Sequence, residues 1–239
     1  MISVPRLYAI VDAAHFPTTE ELAVFAEELV ASGCMLLQYR NKSGNTRLML
    51  EEARELRRRF PPFENREGWG SLDRSVTQSQ NPHPVAESAT RVGQPNNAVR
   101  LIMNDRADLC LAAGFDGVHV GQDDLSPESV RRIIGSDRWL GVSTHNPDQL
   151  AQADKTSADY LAIGPVFATS SKGNPDPVVG LEGVRRARQL TGKPLVAIGG
   201  ITRANAASVI EAEADSVAVI SDLLRDPRKS AEEFLRILR

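Results

Sequence analysis

Short, almost wholly apolar runs alternate with longer stretches in which apolar residues recur every three or four positions. The predicted strands are Leu7–Val11, Met35–Tyr39, Arg100–Met103, Gly117–Val120, Leu140–Ser143, Tyr160–Ile163, Leu195–Ile198 and Ser216–Ile220. A strand that is apolar on both faces must be covered on both, the condition of a parallel sheet wrapped by helices. The intervening stretches carry helix signals with defined ends. In "TTEELAVFAEELVASG", Leu22, Phe25, Ala26 and Leu29 fall on one stripe, with Thr18 or Thr19 to cap the start and Gly33 to end it. In "LSPESVRRIIG", Ser126 is the cap, Pro127 opens the first turn and Gly135 is the stop. "DPRKSAEEFLRILR" supplies the last helix.

Eight strands, each followed by a helix, predict an α/β fold: a closed (β/α)8 TIM barrel in one domain spanning residues 1–239. The alternative is a doubly wound open sheet. That fold wants Gly-x-Gly-x-x-Gly after the first strand, where "VDAAHFPTT" stands instead. One segment breaks the rhythm. Residues 61–98 are rich in Pro, Gly, Ser, Asn and Gln without sustained period, and read as a flexible insertion. A docking element anchored by Phe63, Trp69 and Leu72 is the other reading. A helix-to-strand connection belongs to the bottom of a barrel, so no chemistry is expected there.

The polar residues that follow the strands are the candidate chemistry, because in a parallel barrel all C-terminal strand ends open on one mouth. Asp105 follows the third strand and Asp124 the fourth. Neighbouring strands lie about 4.8 Å apart, so two such carboxylates can approach one ion. Without a cation they would repel, and oxygen-only ligands favour Mg2+ over zinc. Helix capping is the competing role, open for Asp105 and for Asp123, since "MNDRADL" and "GQDDLSP" each lead into a helix. Gln38, Arg40 and Lys42 alternate at the end of the second strand and face the same way, two cations and an amide suited to a polyphosphate. The fifth strand ends with Ser143 and His145. The sixth leads into a long loop with Thr169, Ser170, Ser171 and Lys172, whose glycines and prolines fit a segment that closes over ligand. Gly199-Gly200 after the seventh strand, with Ile220 and Ser221 where the eighth ends, match the place where this architecture often cradles phosphate. Two anion sites at one mouth suggest two phosphorylated substrates. His119, inside the fourth strand, reads as a packed and hydrogen-bonded interior residue, and His145 as an acid–base candidate or a cap for the helix beginning "NPDQL".

Composition narrows the class. The 239 residues are 41% hydrophobic and 25% charged, ordinary for a protein with a real core, and the net charge of −3 argues against nucleic acid or an anionic membrane surface as partner. No apolar stretch approaches the roughly 20 residues needed to span a bilayer, and Asp12 interrupts the N-terminal apolar run too early for a signal peptide. Cys34 and Cys110 sit among apolar residues, which suits core fillers in a reducing cytoplasm. A homo-oligomer is left open.

Taken together, "QYRNK", "MND", "DGVHVGQDD", "GVSTH", "ADYLAIGPVFATSSK", "AIGGI" and "VAVIS" resemble the thiamine phosphate synthase family, in the family's order and over the chain except the insertion. The resemblance implies coupling of 4-amino-2-methyl-5-hydroxymethylpyrimidine diphosphate with thiazole phosphate to give thiamine phosphate and pyrophosphate. It implies a dissociative route through a pyrimidine-stabilised carbocation. It also implies that Asp105 and Asp124 bind Mg2+, that Gln38, Arg40, Lys42, Asn104, Ser143 and Lys172 hold the diphosphate and pyrimidine, and that Thr169, Ser171, Gly200, Ile220 and Ser221 hold the thiazole phosphate. Ser171 stands where many relatives have threonine, Ser216 where glycine is common, and Asp222 is an acid beside the phosphate cradle, unfavourable unless it points away or caps a helix. The sister family of thiazole tautomerases, working through a histidine equivalent to His145, is one rival. A non-catalytic phosphate-binding barrel is the other.

Overall fold

The computed structural model describes residues 2–62, 99–169 and 176–239. Its strands are β1 (Leu7–Asp12), β2 (Leu36–Arg40), β3 (Arg100–Asn104), β4 (Gly117–Val120), β5 (Trp139–Thr144), β6 (Tyr160–Ile163), β7 (Leu195–Ile198) and β8 (Ser216–Val219). All pair in parallel, each with its sequence neighbours, and β8 closes on β1. The helices between them are α1 (Thr19–Ala31), α2 (Thr46–Arg59), α3 (Ala107–Ala113), α4 (Pro127–Ile134), α5 (Pro147–Asp154), α6 (Gly180–Leu190), α7 (Ala206–Glu211) and α8 (Pro227–Ile237). The expected closed (β/α)8 barrel is the fold, and every predicted strand is present with ends displaced by at most one residue. Three of those displacements matter at the mouth: Asp12 and Asn104 belong to their strands, and Ile220 lies just past β8. The expected insertion lies outside the described residues from residue 63 to residue 98. Among the described residues no helix is long and apolar enough to cross a membrane.

Alternation along the strands divides the core in two. Leu7, Ala9 and Val11 join the larger cluster between sheet and helices, where the α1 stripe of Leu22, Phe25, Ala26 and Leu29 packs. Tyr8 and Ile10 point the other way, into a smaller cluster with Leu36, Ile102, Tyr160, Ala162, Val196 and Ala218 that fills the barrel. Thr18 caps α1, accepting the Glu21 N–H at 3.2 Å, and Ser126 caps α4 with Pro127 in its first turn. Free Cys34 and Cys110 are both buried.

The bottom of the barrel is tied by a motif used three times. Asp116, Asp159 and Asp215 each stand immediately before an even-numbered strand and accept the backbone N–H of Leu101, Leu140 and Leu195, all at 2.7 Å. Each also takes a guanidinium, from Arg57 at 2.8 Å, Arg131 at 2.7 Å and Arg188 at 2.8 Å. A charged acceptor on an otherwise edge-like N–H gives a strong bond and links each strand pair to a helix.

Candidate functional site

At the opposite end of the barrel the strand ends surround a cavity. Gln38 and Arg40 of β2, Asn104 of β3, His119 of β4 and Ser143 of β5 line it, as do Thr169, Gly200, Ile220 and Ser221 from the loops after β6, β7 and β8. Ser171 and Lys172, expected to act beside Thr169, lie outside the described residues, as does Ser170.

Asp105 and Asp124 come together at the rim. Asp105 follows β3 in a left-handed conformation with φ of 61°, and its N–H donates to the His119 carbonyl at 2.8 Å. A non-glycine residue held there signals a position fixed by its surroundings. Its carboxylate pairs with the Lys42 ammonium and lies beside the Asp124 carboxylate. Burial pushes the Asp105 carboxyl above the usual carboxylate range; Lys42 pulls it back and the Asp124 carboxylate pushes it up again. Asp124 is oriented by the Gly121 N–H, which it accepts at 2.7 Å.

Capping is thereby excluded for the acids. Arg106 is the N-cap residue of α3 and makes no side-chain cap bond, and Ser126, not Asp123 or Asp124, caps α4. Nor does His145 cap α5, because Asn146 fills that position with Oδ1 accepting the Gln149 N–H at 2.9 Å. Nδ1 of His145 instead lies 2.6 Å from the Gly164 carbonyl and 3.5 Å from the Asp176 carboxylate. His119 is the packed interior residue expected, with Nδ1 at 3.0 Å from the Tyr160 hydroxyl and Nε2 at 2.8 Å from Ser143 Oγ.

Gln38, Arg40 and Lys42 divide their tasks. The Gln38 amide donates to the Tyr8 hydroxyl at 2.8 Å, inside the barrel. Arg40 is ion-paired with Asp12 at the end of β1, and Lys42 reaches over the rim to Asp105. The loop carrying Lys42 is anchored by Glu52 of α2, a buried acid that accepts from Tyr39 and from the Asn41 amide, the latter at 2.8 Å.

The cradle after β7 and β8 depends on missing side chains. Gly199 and Gly200 have φ of 100° and 63°, and a Cβ on Gly200 would stand 2.5 Å from the Ala168 carbonyl oxygen. Asp222 lies at the cavity with its charge paired: it accepts the Arg203 backbone N–H at 2.8 Å and that residue's guanidinium N–H at 3.1 Å.

Sequence reading missed Asp12, Tyr8, Tyr160 and Glu52. A signal existed for the first two. They share parity with Ile10 in β1 and oppose Leu7, Ala9 and Val11, so one face of that strand carries polar groups. Tyr160 is hidden in an apolar run, and Glu52 in a charged helix where nothing distinguishes it from exposed neighbours.

Fold and mouth define a (β/α)8 barrel with paired carboxylates and a lysine beside a cavity whose largely apolar wall carries a few polar groups. A family model described as thiamine monophosphate synthase matches residues 76–223, more than half of the chain. The thiamine-phosphate synthase of Koribacter versatilis is 55% identical over 240 residues, covering 99% of this chain and 97% of that protein. That of Chloroflexus aurantiacus is 40% identical, covering 98% and 92%. The thiamine phosphate pyrophosphorylase structure from Pyrococcus furiosus superposes with a TM-score of 0.73 at 30% identity, covering 98% of this chain and 95% of that one. The chain belongs to the thiamine-phosphate synthase family of transferases.

Proposed function

We propose that this chain couples 4-amino-2-methyl-5-hydroxymethylpyrimidine diphosphate with thiazole phosphate, releasing pyrophosphate and thiamine phosphate. The observation that carries the reading is the meeting of Asp105, Asp124 and Lys42 at the strand ends beside a cavity that Arg40, Asn104 and Ser143 line. Family membership supports the same reaction, and the relatives' names do not favour the tautomerase or the non-catalytic barrel.

The carboxylate pair fits a divalent cation. Its donors are all oxygen, and burial, together with the neighbouring Asp124 carboxylate, pushes the Asp105 carboxyl up against the pull of Lys42, a cost that a bound cation would relieve. Among the described residues no group of three or more His, Cys, Asp or Glu side chains gathers to hold a metal. Mg2+ is the ion that suits two carboxylates, since it commonly completes its shell with water and substrate phosphate. Bound by Asp105 and Asp124, it would supply positive charge to a departing diphosphate.

The protein's own groups do the rest. Arg40 and Lys42 face the diphosphate, with Lys172 joining them from the loop after β6, and stabilise charge as the carbon–oxygen bond breaks and the pair of electrons leaves with pyrophosphate. Gln38, Asn104 and Ser143 orient the pyrimidine, whose cation the thiazole nitrogen then captures. Thr169, Ser171, Gly200, Ile220 and Ser221 hold the thiazole phosphate. Loss of one preorganised contact of this kind costs about 3 kcal/mol of barrier, on the order of a hundredfold in rate. We place the enzyme in the cytoplasm, where two buried free thiols stay reduced.

The test is direct. Both phosphorylated precursors are incubated with the protein and Mg2+, and thiamine phosphate and pyrophosphate are assayed. Equimolar formation of the two is expected; an isomerised thiazole carboxylate without coupling would overturn the reading.

A further inference from the structure

A continuous file of hydrogen bonds crosses the barrel interior between β2 and β5. Gln38 Nε2 donates to the Tyr8 hydroxyl at 2.8 Å, and the Tyr8 and Tyr160 hydroxyls are 2.9 Å apart. The Tyr160 hydroxyl is 3.0 Å from Nδ1 of His119, whose Nε2 is 2.8 Å from Ser143 Oγ. The two ends, Gln38 and Ser143, line the cavity, while Tyr160 is fully buried behind it. Strand β5 makes room for this file. A Cβ on Gly141 would stand 2.1 Å from Cζ of Tyr160 and 2.4 Å from Nδ1 of His119, so a side chain there would displace their bond. Burial pushes the Tyr8 and Tyr160 phenols above their ordinary range, so both keep their protons and each donates once.

The donors can be ordered from one end. An amide nitrogen only donates, so Tyr8 accepts from Gln38 and has its own proton left for Tyr160. Tyr160 in turn donates to Nδ1 of His119, which leaves the imidazole proton on Nε2. That proton goes to Ser143 Oγ, and the serine's own proton turns from His119 to the cavity.

We propose that Tyr8, Tyr160 and His119 are positioning residues that set the polarity of the cavity, leaving the Gln38 amide oxygen as an acceptor and the Ser143 hydroxyl as a donor for ligand. The proposal rests on the coupling reaction above and deepens it. The ligand that matches is a planar heteroaromatic with an amino N–H on one edge and a ring-nitrogen lone pair on another, as in an aminopyrimidine. Tyr8 and His119 reach the cavity wall and Tyr160 lies behind it, and all three act through the two residues they orient.

Two readouts separate this role from packing alone. In the ligand-free protein, 15N NMR of the imidazoles is expected to show His119 as the Nε2–H tautomer, and Tyr160→Phe is expected to remove that single-tautomer signature. In the coupling assay, Tyr160→Phe and Tyr8→Phe are expected to lower kcat/KM for the pyrimidine diphosphate about tenfold, the size of one net hydrogen bond, with KM for thiazole phosphate unchanged. If Tyr160→Phe does not fold, Tyr8→Phe and the wild-type spectrum decide. An Nδ1–H tautomer in the wild type, unchanged kinetics in the folded variants, or equal losses toward both substrates would overturn the proposal. Failure of the wild type to couple the precursors would instead overturn the proposed function, while the tautomer still reports on the file.

Discussion

The ammonium of Lys42 and the carboxylate of Asp105 form an ion pair that joins the loop after β2 to the end of β3. Lys42 is mostly exposed and Asp105 mostly covered, at 55% and 15% of their side-chain surfaces, so the acid is the fixed member and the lysine the adaptable one. An acid held against both a cation and a second carboxylate is poised to take a stronger positive charge.

Asp105→Asn isolates that charge, because asparagine tolerates the left-handed backbone that Asp105 adopts. Turnover is expected to fall on the order of a hundredfold, with a higher Mg2+ concentration needed for half-maximal rate and little change in thermal unfolding. Asp124→Asn should act in the same direction. Initial rates measured across a Mg2+ titration provide the check, and an unchanged Mg2+ dependence would count against the carboxylate pair as the metal site.

Gly200→Ala should damage the cradle after β7. The added Cβ meets the Ala168 carbonyl oxygen at 2.5 Å and Phe167 Cβ at 2.8 Å, at a φ of 63°. Strain of this kind costs about 1–3 kcal/mol, and KM for thiazole phosphate should rise more than KM for the pyrimidine diphosphate. Gly192→Ala, where a Cβ meets nothing within 4 Å, is the matched control. Equal behaviour of the two variants in urea melts and kinetics would refute the assignment.

Asp159→Ala removes an acceptor from the Leu140 N–H and a partner from Arg131 at the bottom of the barrel. A loss of about 1–3 kcal/mol is expected from leaving those donors unmatched. Asp215→Ala should cost less, because its side chain is 46% exposed against 29% for Asp159 and water replaces the lost contacts. Chemical denaturation measures both, and kcat of the folded variants should match the wild type because the mouth lies at the other end.

The Cys34 and Cys110 thiols are pushed up to about 11 and about 12 by burial. Thiolate is the reactive species, so neither should react with a thiol reagent in the native protein at pH 8, and both should react after denaturation. Rapid modification of either without unfolding would contradict their place in the core.

Much of the mouth was legible because its residues lie just past apolar runs, where a parallel barrel must gather them. Asp105, Asp124, Arg40, Ser143, Gly200 and Ser221 are legible that way, and Asn104 through the family resemblance. Asp12 was passed over although it ends the first such run, because a single acid at a strand end carries no mark of its partner. That partner, Arg40, is 28 residues away. Capping of Asp105 was a fair reading of "MNDRADL", and only the backbone at Asp105, with Arg106 in the cap position, excludes it.

Local order followed from the chain alone. Apolar periodicity, cap residues and strand–helix alternation act over neighbouring positions, and they determined the elements, their ends and the closed parallel barrel. Three-dimensional closure decided which side chains meet. Tyr8 and Tyr160 are 152 positions apart and share a hydrogen bond because β1 and β6 both turn those residues into the barrel. Hydrogen bonds and ion pairs of that kind depend on placing distant strands to within a few tenths of an ångström, and no periodicity along a chain encodes that.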